Sequence, residues 1–416
     1  MTSSLRPQPP RRIFISTGEV SGDLQGALLI EALRAEAAER QISLDIVALG
    51  GSRMAAAGAT LVGETTAIGS VGLFEAVPYF LPTLRLQKVA KQALEAHPPD
   101  LVVLIDYMNP NLVMGQYLKT RHPQVPVVYY IAPQQWVWAF SEKDTERLVR
   151  YSDHMVAIFK AEADYYQRFG ADSTWVGHPL VDQYLTPPDR GLARQQLNLP
   201  LDQPVVTLLP ASRQQEIRYL MPILLKAAQI VQRQCPGVTF LLSAATASLR
   251  PSFAAGLAEY ELRGHVVDQG SSLAIAAADV AITKSGTVNL EIALMNVPQV
   301  VAYRLNPVSA WVGQRLLGFK VPFASPVNLV ANRRVVPEFL QWQANPEAIA
   351  AATLELLQSA AARHTMLTGY DTMRQALGQP GACRRGAALM LDWLERDQTQ
   401  PQGAELNPET NRPGNV

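Results

Sequence analysis

Cysteine is nearly absent. Cys235 and Cys383 stand alone in 416 residues, which excludes a disulfide framework and a thiolate metal site. Long apolar runs are missing too: no stretch of about 18 uncharged apolar residues is available to span a bilayer. Neither sign of charge is in excess, with 36 Lys plus Arg against 36 Asp plus Glu, so no general nucleic-acid footprint exists and no nucleic-acid partner is expected. The first twelve residues carry prolines and arginines but no apolar targeting core, and the expected location is cytoplasmic.

Apolar residues make up 48% of the chain, enough for ordinary globular cores, and the length suits two or three domains. In the first half, short apolar runs at 13–16, 46–49, 101–105, 125–131, 155–159 and 174–176 read as strands. Helical patterns at 24–38, 84–96, 112–121 and 142–151 lie between them. Residues 205–209, 238–242, 265–267, 280–283 and 299–303 repeat the plan, with helices expected at 216–234 and 288–295. Such alternation predicts two doubly wound, Rossmann-like α/β domains with parallel sheets. The expected division is a flexible N-terminus at 1–12, a first domain at 13–185, a proline-rich linker at 186–204 and a second domain at 205–375. A C-terminal helix at 376–396, crossing back or exchanged between copies, and a disordered tail at 397–416 complete it. Ligands of such sheets bind beyond the C-terminal strand ends, here in a cleft between the halves.

The turn Gly18-Glu19-Val20-Ser21-Gly22-Asp23 follows the first strand and opens a helix. Backbone N–H groups at such a turn suit an anion, but Gly18, Gly22 and Gly26 do not have G-x-G-x-x-G spacing. Glu19 and Asp23 would also repel a phosphate, and they suit hydroxyl groups better. In the second half, Leu209-Pro210-Ala211-Ser212-Arg213 repeats the strand-to-turn plan and is followed by Glu216. Small residues there admit an anion to the backbone, and Arg213 brings a guanidinium fork suited to phosphate oxygens. Thr283-Lys284-Ser285-Gly286-Thr287 opens the helix that carries Glu291. Ser285, Gly286 and Thr287 can offer donors to a diphosphate, and Glu291 can accept ribose hydroxyls.

Together with Gly177-His178-Pro179, Tyr303-Arg304 and Asn328-Leu329, these motifs resemble the bacterial lipid-A-disaccharide synthase family in order and spacing, from about Arg12 to Leu394. The resemblance implies a GT-B-like fold and an inverting glycosyl transfer. UDP-2,3-diacylglucosamine would be the donor and 2,3-diacylglucosamine 1-phosphate the acceptor, giving a β-1,6 disaccharide and UDP. Asp106 matches the family's catalytic aspartate and is the expected base, with Glu19 and Asp23 as acceptor-side alternatives. Substrate contacts are expected from Gly18, Ser21, His178, Arg213, Glu216, Ser285, Gly286, Thr287, Glu291, Arg304 and Asn328. No Asp-x-Asp occurs, so neither a metal-clamped diphosphate nor any cofactor is expected.

Departures from the family pattern fall mainly on the acceptor side. The run Asp106-Tyr107-Met108-Asn109-Pro110-Asn111 keeps the first acid and has Asn109 for the second. Trp136-Val137-Trp138-Ala139 lacks the usual terminal arginine, Ala211 replaces a glycine, and Asn332-Arg333-Arg334 stands for Gly-Arg-Glu. The apolar stretch 71–81, followed by Arg85, Lys88 and Lys91, suits peripheral contact with an anionic membrane or an acyl chain, and equally well simple packing. A UDP-sugar 2-epimerase-like isomerase, or a related transferase or non-catalytic binding protein for a different lipid acceptor, would use the same architecture. Either a monomer or a homodimer is compatible with the pattern.

Overall fold

Apolar runs too short for helices form strands buried on both faces. In the computed structural model every residue of Leu101–Ile105 and Val205–Leu209 is buried, as parallel strands under two helical layers require. The structure describes residues 9–18, 20–65, 80–137, 139, 141–211, 214–244, 247–268, 270–304 and 322–396.

The first sheet contains β1 (Arg11–Ser16), β2 (Leu44–Gly50), β3 (Thr60–Glu64), β4 (Leu101–Ile105), β5 (Val127–Tyr130), β6 (His154–Ala157) and β7 (Ser173–Trp175). Its order is β3-β2-β1-β4-β5-β6-β7, with every pairing parallel. The second sheet contains β8 (Val205–Leu209), β9 (Thr239–Ser243), β10 (Gly264–Val267), β11 (Val280–Lys284), β12 (Gln299–Tyr303) and β13 (Glu338–Leu340). Its order, β10-β9-β8-β11-β12-β13, is also parallel throughout. The strand order therefore reverses between β1 and β4 in one sheet and between β8 and β11 in the other. These two reversals create the crevices where ligands of doubly wound sheets bind.

Two strands escape the apolar pattern because they lie at sheet edges. In β3 the exposure is mixed and in β13 all three residues are only half-buried. The helix expected to begin at Leu24 begins earlier, at Val20–Glu39, so Gly22 and Asp23 already lie in its first turn. The single helix expected at 216–234 is two, Gln214–Tyr219 and Met221–Gln234, because Pro222 is confined to the first turn of the second.

A short helix, Arg190–Gln196, follows β7 and precedes β8 in the chain and carries the buried Arg194. Its guanidinium donates to the carbonyls of Ala277, Pro200, Leu201 and Gln203 and pairs with Asp279 at 2.9 Å. The last helix, Ala382–Arg396, returns to the first sheet and packs on Val20–Glu39. Arg40 bridges to Asp392 at 2.6 Å, and Arg384 bridges to Glu36 and Glu39. Ala387, Met390, Leu391 and Leu394 are buried in this helix. Among the described residues no helix is long and apolar enough to cross a membrane.

Candidate functional site

At the first crevice the turns after β1 and β4 touch. The Tyr107 ring lies so close over Gly18 that a Cβ added there would fall 2.1 Å from ring atoms. The same closeness explains the rest of the glycine series: a Cβ on Gly22 would meet Thr17 Oγ1 at 1.8 Å, and one on Gly26 would meet Met54 Sδ at 2.7 Å. The glycines are there for packing rather than as a phosphate cradle.

Asp106 and Tyr107 both adopt left-handed backbone, with φ of 45° and 50°. Non-glycine residues reach this region at a cost and remain there only when their surroundings hold them. Asn111 does so from the first turn of the next helix. Fully buried, it donates from Nδ2 to the carbonyls of Asp106 at 2.8 Å and Ile105 at 3.1 Å. Its Oδ1 accepts the Ser16 hydroxyl at 2.8 Å, so one amide ties β1 to β4. Asp106 N–H donates to the Ile131 carbonyl at 2.9 Å. Asp106 is half-buried at the strand end, where a carboxylate can meet a hydroxyl in the crevice.

Asp23, the other acceptor-side acid expected beside Glu19, is engaged with backbone. It is 3% exposed, and its two oxygens accept the N–H groups of Gly51 at 2.8 Å, Arg53 at 3.2 Å and Met54 at 3.1 Å. Its carboxylate thus caps the short helix Ser52–Ala56. Ser21, two residues earlier in the same helix, is half-buried, while Glu19 lies outside the described residues. A second acid, unforeseen in the sequence, is the buried Glu162. It accepts from Ala132, Ile158 and Phe159 N–H at 2.7, 3.0 and 3.3 Å, linking the ends of β5 and β6. Burial pushes its carboxyl up to about 8 against the pull of these donors.

His178 likewise has a structural seat. Its Nδ1 accepts the Leu180 N–H at 3.1 Å, capping Pro179–Gln183, and its ring packs on Phe159 at 5.1 Å. Burial lowers its pKa to about 3, so it is neutral near pH 7. Asn328 is also fully enclosed: its Oδ1 accepts from Val335 and Val336 N–H, and its Nδ2 donates to the Val336 carbonyl. These two residues shape loops instead of presenting free groups to a cleft. Arg304 follows β12 and is half-buried.

At the second crevice the turn after β11 carries Ser285, Gly286 and Thr287, all half-buried. Asn289 closes this turn, accepting from Gly286 N–H at 3.0 Å and donating to the Lys284 carbonyl at 3.0 Å. Ser285 Oγ donates to the Ala324 carbonyl at 2.6 Å. Lys284 Nζ lies 3.4 Å from Glu216 Oε1, so the pair joins the end of β11 to the helix Gln214–Tyr219 that follows β8. Arg213 lies outside the described residues.

A third group joins the two halves. Tyr184, just after Pro179–Gln183, donates to Glu291 Oε2 at 2.9 Å and contacts Ser272 Oγ at 3.2 Å. Burial raises the Glu291 carboxyl, whereas the Tyr184 hydroxyl and the positive charge of Arg53 draw it back. Arg53 belongs to the helix after β2 and Glu291 to the helix after β11, so the C-terminal edges of the two sheets face one another.

Asn111, Lys284, Tyr184 and Arg53 were not among the expected site residues. Asn111 and Lys284 occur inside motifs already singled out, and each is next to or near the residue chosen. Tyr184 falls at the end of the expected first domain, and no local signal links it to Glu291, 107 positions away.

A family model described as lipid-A-disaccharide synthetase matches residues 13–391. Lipid-A-disaccharide synthase from Gloeothece citriformis is 51% identical over 383 residues, covering 92% of this chain and 100% of that protein. The protein of the same name from Synechocystis sp. is 48% identical over 389 residues, with 93% and 99% coverage. Among solved structures, S. aureus MnaA in its UDP co-structure superposes with a TM-score of 0.64 at 13% identity, covering 95% of this chain and 100% of that one. Sucrose-phosphate synthase from Thermosynechococcus elongatus gives 0.56 at 16% identity, with 93% and 99% coverage. The structural likenesses establish the GT-B architecture alone, whereas the family match and the sequence relatives, which span nearly the whole chain, establish that it belongs to the lipid-A-disaccharide synthetase family of glycosyltransferases.

Proposed function

We propose that the chain transfers 2,3-diacylglucosamine from UDP to the 6-hydroxyl of 2,3-diacylglucosamine 1-phosphate, giving the β-1,6 disaccharide and UDP. The observation that carries the reading is the pair of facing crevices, with Asp106 on a constrained turn at one and the Lys284–Thr287 turn at the other. The acceptor occupies the first half (13–185) and the UDP-sugar the second (205–375).

In this reading the Asp106 carboxylate takes the proton of the acceptor 6-hydroxyl. The oxygen attacks the anomeric carbon on the face opposite the α-linked diphosphate, and the bond from that carbon to the diphosphate oxygen breaks. Configuration inverts in one displacement. Charge accumulating on departing UDP is met by Arg213 and by the donors of Ser285, Gly286 and Thr287, while Glu291 receives the ribose hydroxyls. Asp23 keeps the Gly51–Met54 turn in place, which aims Arg53 toward Glu291. Glu19 stays on the acceptor side as an alternative base.

Peripheral membrane contact would bring the acylated substrates to this cleft. Leu81 and Leu84 are exposed on Phe80–Ala96, the helix that also carries Arg85, Lys88 and Lys91. Apolar and basic side chains together suit an anionic lipid surface. The adjoining stretch 71–79 lies outside the described residues.

The test supplies purified protein with UDP-diacylglucosamine, with and without the 1-phosphate acceptor, and follows products by mass spectrometry. Acceptor-dependent disaccharide plus UDP is expected. Isomerised donor without acceptor would instead establish an epimerase, and binding without turnover a non-catalytic protein.

A further inference from the structure

The geometry points to Lys284 as a further residue of the diphosphate subsite, one that Glu216 holds ready and that moves from this carboxylate to the diphosphate when the nucleotide enters. The inference rests on the reading of the second crevice as a UDP-sugar site.

Lys284 is the last residue of β11, which pairs with β8 where the strand order reverses. Its side chain is 13% exposed, so the ammonium is largely withdrawn from water without being sealed in. The chain folds back over its own turn: a Cβ on Gly286 would sit 3.1 Å from Nζ, and Nζ lies 3.5 Å from the Ser285 carbonyl. The ammonium is therefore stationed between the first turn of Gln214–Tyr219 and the Ser285–Thr287 turn, on the path that a bridging diphosphate would take.

The pairing with Glu216 is loose. Charge-assisted N–H···O bonds usually close to about 2.7–2.9 Å, and here N and O are 3.4 Å apart. An acid in a diphosphate site is costly unless a cation offsets it, and Glu216 is buried in the first turn of Gln214–Tyr219. Its carboxylate orients the lysine ammonium within the crevice. When a diphosphate arrives with two negative charges, and a third develops as the glycosidic bond breaks, a flexible four-carbon stem lets the ammonium follow the charge. The turn's own donors are partly committed, with Gly286 N–H on Asn289 and Ser285 Oγ on Ala324. A mobile cation beside them supplies what those donors cannot.

Calorimetric titration of UDP and UMP into the full-length protein and its variants tests this. Wild type should prefer UDP to UMP, and Lys284→Met should reduce that preference about tenfold, the effect of roughly one charge-assisted contact. It should also lower kcat, with Lys284→Arg restoring much of both. Glu216→Gln should strengthen UDP binding, because the carboxylate no longer competes for the ammonium, whereas a residue that merely braces the turn would weaken it. Thermal unfolding identifies any variant that has lost its fold, and the arginine variant then decides. An unchanged UDP preference in Lys284→Met, an equal loss of UDP and UMP affinity, failed rescue in the arginine variant, or weaker UDP binding in Glu216→Gln overturns the inference. Absence of UDP binding in the wild type would overturn the nucleotide reading itself.

Discussion

Asn111 donates from Nδ2 to the Asp106 carbonyl oxygen at 2.8 Å, and the Tyr129 hydroxyl donates to the same oxygen at 2.7 Å. Two buried donors thus hold a peptide unit whose neighbours have positive φ. Left-handed backbone at non-glycine residues costs on the order of 1–3 kcal/mol each, so losing either donor lets the turn relax and carry the carboxylate away. Tyr129→Phe is expected to lower kcat about tenfold with UDP affinity unchanged, a change of roughly 1.4 kcal/mol. Asp106→Asn should lower kcat by about 10²–10⁴ with the same unchanged affinity, as loss of a general base does. Steady-state kinetics and UDP titration check both; full turnover in Asp106→Asn would remove that residue as the base.

Gly18 and Tyr107 provide a steric test at the same crevice. Gly18→Ala places a methyl 2.1 Å from the ring, an overpacking that costs about 1–3 kcal/mol or displaces the ring. The loss in unfolding free energy and in kcat should be large in the wild-type background and small in Tyr107→Ala. Additive effects in the double-mutant cycle would show that the two turns are not coupled.

The strands of the core were legible because their residues are almost all apolar: the runs 101–105 and 205–209 coincide with β4 and β8. Edge strands β3 and β13 were not, since a half-exposed edge has no reason to be continuously apolar. Site motifs were visible as composition, but the direction of each side chain was not. Asp23 looked like an acceptor acid because a carboxylate beside a glycine-rich turn has two uses. Only the fold brings Gly51, Arg53 and Met54 N–H onto it from the next unit. The Lys284–Glu216 and Tyr184–Glu291 pairs were hidden for the same reason, because each joins groups far apart in sequence.

Tyr184 should set the pH at which nucleotide binds. Its hydroxyl lowers a Glu291 carboxyl that burial has raised. If ionised Glu291 receives the ribose hydroxyls, UDP affinity grows as pH rises through its pKa. Tyr184→Phe removes the stabilising donor, so this rising limb should move to higher pH while affinity at about pH 8, well above ordinary carboxyl values, stays near wild type. UDP titrations across the range read the shift directly, and a superimposable profile would detach Tyr184 from the nucleotide.

His178 should limit stability on the acid side. Its pKa falls from the ordinary 6.5 to about 3 on folding, so below pH 6.5 the unfolded chain binds a proton that the folded one refuses. The neutral ring's contribution is complete above that value and is lost progressively as pH falls toward 3. His178→Asn retains a side-chain acceptor for the Leu180 N–H and has nothing to titrate. Between about pH 6.5 and 5, before most carboxylates titrate, the melting temperature of the variant should fall less steeply than that of wild type. Parallel slopes in differential scanning calorimetry would contradict the buried neutral imidazole.

Arg194 should matter more to stability than its place in a surface-connecting segment suggests. Its guanidinium holds the Pro200, Leu201 and Gln203 carbonyls, the Ala277 carbonyl before β11 and the Asp279 carboxylate. Asp279 also accepts the Val205 N–H at 2.9 Å, at the first residue of β8. Removing the cation leaves several carbonyls without their donor and leaves Asp279 only the exposed Arg190 as a cation partner, so the loss should approach but not exceed the about 3–5 kcal/mol typical of breaking a buried pair. Arg194→Met keeps much of the volume, so the loss in urea unfolding is electrostatic rather than a cavity effect. Arg194→Met/Asp279→Asn should recover part of it, since the carboxylate that lost its buried cation is then neutral. A double variant no more stable than the single one would show that the carbonyl contacts, and not the ion pair, fasten the linker to the second sheet.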